Sequence, residues 1–124
     1  MEVPILKQGP FLIASVQAAL SDADLWQMRK AIVEQVVKRR ARGVIVDITS
    51  VDVVDSFATR MLRDTAQMIR LRGAQTVIVG IQPEVAFTMV QLGLTLEGIG
   101  TALDLEEGLA YLDRRIKRNL HDGK

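Results

Sequence analysis

Residues 44–56 read Val44-Ile45-Val46-Asp47-Ile48-Thr49-Ser50-Val51-Asp52-Val53-Val54-Asp55-Ser56, and this stretch decides the fold. It opens with a nearly unbroken β-branched run, the pattern of a strand buried on both faces. A polar loop interrupted by valines follows, from Thr49 to Ser56. A helical pattern then runs from about Ser56 to Arg72, with Phe57, Met61, Leu62, Thr65 and Ile69 as its inner stripe. Gly73 is placed to close it.

The same alternation extends in both directions. Upstream, the apolar run Phe11-Leu12-Ile13-Ala14-Ser15-Val16 follows a Gly9-Pro10 turn and a partly apolar segment at residues 3–8, which predicts an N-terminal hairpin. Ser21 can cap the next helix, Asp22 and Asp24 lie in its first turn, and Leu25, Met28, Ile32 and Val36 recur at helical spacing. Lys38, Arg39, Arg40 and Arg42 gather at its end, where Gly43 is expected to stop it. Acid at the start and base at the end complement the helix dipole, a simpler reading of the basic cluster than a phosphate-binding patch.

Downstream, Thr76-Val77-Ile78-Val79-Gly80-Ile81 is a third buried strand, and Pro83-Glu84 opens a short helix ending near Gly93. Residues 99–103 form a last strand. Asp104 and Glu107 have capping-box spacing at the head of the final helix, with Leu109, Leu112 and Ile116 facing inward and Arg114, Arg115, Lys117 and Arg118 in its last turns. The order predicts an α/β domain: a mixed, mostly parallel sheet of four to five strands, one antiparallel N-terminal strand and about four helices. We expect one domain over residues 1–118 and a polar tail over 119–124.

Composition narrows the functions. The chain of 124 residues is long enough for one core and too short for two. Without cysteine it has no disulfide, thiol nucleophile or thiolate metal site. Its net charge of +1 and aromatic content of 4% argue against nucleic acid as a main partner. The N-terminal residues lack signal-peptide character, and no apolar run approaches the ~20 residues of a membrane span. A soluble, cytoplasmic protein is expected, with no membrane partner. The lone histidine, His121, is expected to be a solvated tail residue, since a relay or metal site needs partners.

No nucleotide-binding glycine motif, phosphate loop or nucleophile elbow is present. Asp47, Asp52 and Asp55 form a loose acidic cluster, better read as a cap and solvated carboxylates than as a cation site. A phospho-aspartate receiver centred on Asp47 fails, because Gln17-Ala18-Ala19-Leu20 supplies no acidic pair after the strand and Thr101-Ala102-Leu103 no lysine. We therefore expect no enzyme, no metal and no cofactor. What is left is Asp55-Ser56 at a helix start. Either residue suits an N-cap. A phosphoryl group on Ser56 would also bring about −1.5 to −2 charge to that end, tolerated by the helix amides and opposed by Asp52 and Asp55.

The strand Val44–Ile48, the loop and the run Val51-Asp52-Val53-Val54-Asp55-Ser56-Phe57-Ala58-Thr59 resemble the signature of the STAS family of anti-sigma-factor antagonists. The resemblance spans Ile5 to about Arg118. It implies the STAS fold and phosphorylation of Ser56 by a partner serine kinase. The run Asp55-Ser56-Phe57-Ala58-Thr59-Arg60 and the single-domain length look nearest to the minimal stressosome scaffold, the RsbS type. That likeness implies co-assembly with RsbR-type STAS paralogues into a large complex. It implies sequestration of an RsbT-type switch kinase, its release when Ser56 is phosphorylated, and resetting by an RsbX-type phosphatase. A homodimer through the STAS domain is also implied. Many free antagonists have a small residue and then glycine after the serine. Phe57 and Ala58 depart from that and weaken the alternative, a free antagonist that binds an anti-sigma kinase when unphosphorylated. Thr59 is a second acceptor, a recognition contact or, as we prefer, only a first-turn residue. Asp55 is expected to hold the loop and contribute to kinase recognition, with Thr49, Asp52 and Phe57 on the same face. Phe57 also fits the inner stripe of the helix.

Overall fold

The computed structural model describes the backbone of residues 2–121 and the side chains of residues 2–118. Its elements are β1 (Ile5–Gln8), β2 (Phe11–Ser15), α1 (Asp22–Arg39), β3 (Gly43–Asp47), α2 (Ser56–Arg70), β4 (Gln75–Val79), α3 (Pro83–Gln91), β5 (Gly100–Ala102) and α4 (Leu105–His121). The sheet order is β1-β2-β3-β4-β5. β1 pairs antiparallel with β2, and every other pair is parallel. The expected fold class is therefore the observed one.

Strand order dictates the layers. Each parallel crossover steps to the next strand in one direction, and such crossovers are right-handed, so α1, α2 and α3 fall on one face. There Leu12, Ala14, Val44, Val46 and Ile78 pack with Leu25, Met28, Ile32 and Val36 of α1, Met61, Leu62 and Ile69 of α2, and Val85 and Met89 of α3. The opposite face is left for α4. Phe11, Ile13, Ile45, Val77 and Val79 bury Leu112 there, flanked by Leu109 and Ile116. Alternate residues of the strands thus serve two separate cores, which is why the runs are apolar throughout.

Two glycines let α4 approach. A Cβ on Gly43 would lie 2.9 Å from Leu112 Cδ1 and 3.1 Å from Phe11 Cδ1. One on Gly108 would lie 2.7 Å from Val79 Cγ1. Gly43 accordingly does not stop α1, contrary to expectation. It is the first residue of β3, and α1 ends with Arg40 in the left-handed region (φ 51°, ψ 45°), its N–H donating to the Val36 carbonyl.

The helix starts are closed by side chains. Ser21 and Asp24 form a reciprocal capping box on α1. At α4 the Asp104 carboxylate accepts from Glu107 N at 2.9 Å, and Glu107 accepts from Leu103 N at 3.3 Å. α2 ends at Arg70 and turns through Gly73 (φ +87°). α4 continues to His121, beyond the expected domain end at 118, so His121 lies on a helix; residues 122–124 lie outside the described residues.

Because β2, β3, β4 and β5 are parallel, all four helices begin at the same edge of the sheet. Asp22, Asp24, Glu84, Glu106 and Glu107 sit in first turns there, near Asp47, Asp52 and Asp55. Lys38, Arg39 and Arg70 occupy last turns at the opposite edge, with Arg40, Arg42 and Arg72 beyond them. The molecule has an acidic edge and a basic edge.

Leu112 is fully buried and central to the α4 core. Leu112→Ala should cost about 3 kcal/mol, read as a lower urea midpoint with an unchanged slope.

Candidate functional site

The loop between β3 and α2 is held at both ends. Ile48 N donates to the Val79 carbonyl at 3.0 Å, so the β3–β4 ladder extends one residue past the strand. Asp47 Oδ1 then accepts from Thr49 N at 3.0 Å and from Thr49 Oγ1 at 2.6 Å. The Thr49 carbonyl accepts from Gln82 Nε2 at 2.8 Å. A Cβ on Gly80 (φ +78°) would collide with the Thr49 hydroxyl and lie 3.0 Å from Thr49 Cα. Glycine is therefore required at position 80 both for its backbone angle and for the close approach of Thr49.

The middle of the loop is pinned by its valines. Val51 N donates to the Ile48 carbonyl at 2.9 Å, and the Val51 and Val54 side chains enter the α1–α2 core. Asp52 and Val53 point outward, Val53 with 61% of its surface exposed.

Asp55 is the N-cap of α2. Its Oδ1 accepts from Ala58 N at 2.8 Å, and its carbonyl accepts from Thr59 N and Thr59 Oγ1, each at 3.0 Å. Ser56 is the first helical residue, exposed, and its hydroxyl makes no hydrogen bond to any described residue. The two readings of Asp55-Ser56 thus divide between the residues: the aspartate caps, and the serine is left free. Phe57 is half-buried against the core. Thr59 is 1% exposed and lies in the first turn of α2.

Of the residues singled out in the sequence, Asp52, Asp55 and Ser56 lie on the exposed rim. Thr49 is exposed but turned back onto Asp47, while Phe57 and Thr59 turn inward. The three aspartates do not converge. Among the described residues no group of three or more His, Cys, Asp or Glu could hold a metal ion. No helix among them is long and apolar enough to cross a membrane. Sequence reading missed the clasp of Thr49 by Gly80 and Gln82; the Gly80 that follows a β-branched run was its only signal.

A family model described as the STAS domain matches residues 2–108. The chain belongs to the STAS domain family. The RsbT co-antagonist protein RsbRA of Bacillus subtilis (strain 168) is 39% identical over 85 residues, which cover 65% of this chain and 31% of the relative. This STAS domain spans about a third of the length of the curated RsbR relatives that it matches. Among solved structures, a Moorella thermoacetica RsbS variant with glutamate in place of a serine superposes with a TM-score of 0.80 at 32% identity, covering 93% of this chain and 97% of that one. A chain from the molecular architecture of the stressosome, described as a signal integration and transduction hub, gives 0.73 at 31% identity, covering 91% and 98%.

The division between Asp55 and Ser56 has a thermodynamic signature. Asp55→Ala should cost about 1 kcal/mol through the lost cap, whereas Ser56→Ala should stay within about 0.5 kcal/mol; paired urea denaturations measure both. Gly80→Ala should cost about 2 kcal/mol, because it adds backbone strain to a collision with Thr49, and its loop amides should lose hydrogen-exchange protection.

Proposed function

We propose that this STAS domain is a stressosome scaffold subunit and a negative regulator of a stress response, switched by phosphorylation of Ser56. The observation that carries the reading is the free Ser56 hydroxyl, exposed at the amino end of α2 beside a cap already provided by Asp55. A phosphoryl group can be added there without breaking a hydrogen bond of the fold. The helix amides favour the new charge, while Asp52 and Asp55 repel it. The core is undisturbed and the surface field changes, so a partner bound to the unmodified surface is released.

Likeness to RsbS over nearly the full length of both chains, and to the RsbR proteins, supports the scaffold role. In this reading the chain co-assembles with RsbR-type paralogues, pairs as a homodimer through the STAS domain, and holds an RsbT-type serine kinase. The kinase leaves on modifying Ser56, and an RsbX-type phosphatase removes the phosphate. The chain itself catalyses nothing and works in the cytoplasm. Asp52 and Asp55 flank the acceptor and contribute to kinase recognition; Thr49 and Phe57 act by holding the loop and the first turn. Thr59 is not an acceptor, because its hydroxyl could reach a kinase only if the first turn of α2 opened.

Incubation with an RsbT-type kinase and Mg-ATP, followed by intact mass and peptide mapping, should show one phosphoryl group on Ser56. It should be absent from Ser56→Ala, and Thr59 should be unmodified. Size-exclusion chromatography with an RsbR-type paralogue should give a joint high-mass peak. Modification elsewhere would refute the switch. Separate elution of the two chains would refute the scaffold, and capture of an anti-sigma kinase instead would favour a free antagonist.

A further inference from the structure

At the basic edge, Arg40, Arg42 and Arg72 line an open groove together with Val36, Val37 and Ala41. The backbones that carry the three arginines are fixed. Arg40 N donates to the Val36 carbonyl, Arg42 N to the Pro10 carbonyl at 2.7 Å, and Arg72 N to the Ile69 carbonyl at 3.0 Å. Their side chains are exposed, and none makes an ion pair or hydrogen bond with a described residue. Compensation of the helix dipole accounts for Lys38, Arg39 and Arg70, which lie in last turns, because the effect falls off within a turn. It does not require Arg42 and Arg72, which follow the caps Arg40 and Leu71. No carboxylate lines the groove, so nothing on its own wall offsets the charge.

The opposite edge of the molecule carries the complement. Asp22, Asp52, Glu84 and Glu106 are exposed, and their side chains make no ion pair or hydrogen bond with a described residue. They stand on the loop after β3 and in the first turns of α1, α3 and α4. A translation along the strands carries this edge of one copy onto the arginine groove of the next. With a net charge of only +1, copies of the chain do not repel one another at long range.

We propose that the arginine groove binds the acidic edge of a second copy of this chain in a head-to-tail contact. Two different surfaces meet, so every pair keeps one free groove and one free acidic edge, and the contact repeats. It is separate from a symmetric homodimer, in which one surface meets itself. Exposed ion pairs are individually weak, so the contact is weak and sensitive to salt. The proposal goes beyond the phosphorylation reading and stands without it.

The test is sedimentation equilibrium of the full chain. At about 0.02 M salt the mass should rise with concentration past twice that of the resting unit, whether monomer or symmetric dimer. Association should weaken at least about tenfold at about 0.3 M salt, where screening is short-ranged. Arg42→Glu/Arg72→Glu alone and Asp52→Lys/Glu84→Lys alone should stay at the resting mass, and an equal mixture of the two should associate again. If either double variant does not fold, Arg72→Glu and Glu106→Lys replace them with the same expectation. Growth that is absent at low salt, is indifferent to salt, stops at a doubled mass or persists in either folded variant would overturn the contact. Absence of growth together with binding of inorganic pyrophosphate, lost in the arginine variant, would overturn it in favour of a phosphate ligand.

Discussion

Burial of β3 on both faces is the constraint on which the rest depends. A strand with hydrocarbon above and below, and a parallel partner on each edge, cannot receive its neighbours through tight hairpins. Each neighbour arrives through a helix, and each helix starts at the same edge of the sheet. The unbroken strand order then sends α1, α2 and α3 to one face. The other face would be open without α4. That helix closes it because Gly43 and Gly108 keep its path to the sheet clear. The glycines and Leu112 are therefore as much part of the central strand's environment as its own valines.

The loop after β3 inherits its position from this arrangement. It leaves a rigid strand, is clasped at Thr49 by the connection after β4, and is anchored in the core by Val51 and Val54. Little freedom is left when the chain reaches Asp55. The cap, with the two bonds from Thr59 to the Asp55 carbonyl, fixes the first turn from the inside. Ser56 is presented by a rigid frame while contributing nothing to it. A residue with no structural duty can change its charge without a structural cost.

Most of the architecture was legible because it depends on local pattern. Continuous apolar runs marked β2, β3 and β4, and Ser21 with Asp24 marked the start of α1. The failures lie where distant contacts override local habit. Gly43 follows a basic helix end and reads as a stop, yet Arg40 takes the left-handed angle. Gly43 is small because of Leu112, a contact remote in sequence. Two adjacent residues suited the cap, and only the helix's rotation relative to the loop chose Asp55.

The separation of acidic and basic edges gives the molecule an electric moment along its strands, although its net charge is only +1. In a field it turns before it drifts. Approaching a positively charged surface, it presents the Ser56 end first, so orientation is partly settled before contact and encounter rates rise. This guidance works over about one Debye length, roughly 8 Å at physiological ionic strength, and fades as salt increases. A doubly charged group at Ser56 would lengthen the moment and sharpen the alignment. The modification that alters who can stay bound would then also alter which way the molecule faces when it next meets a partner.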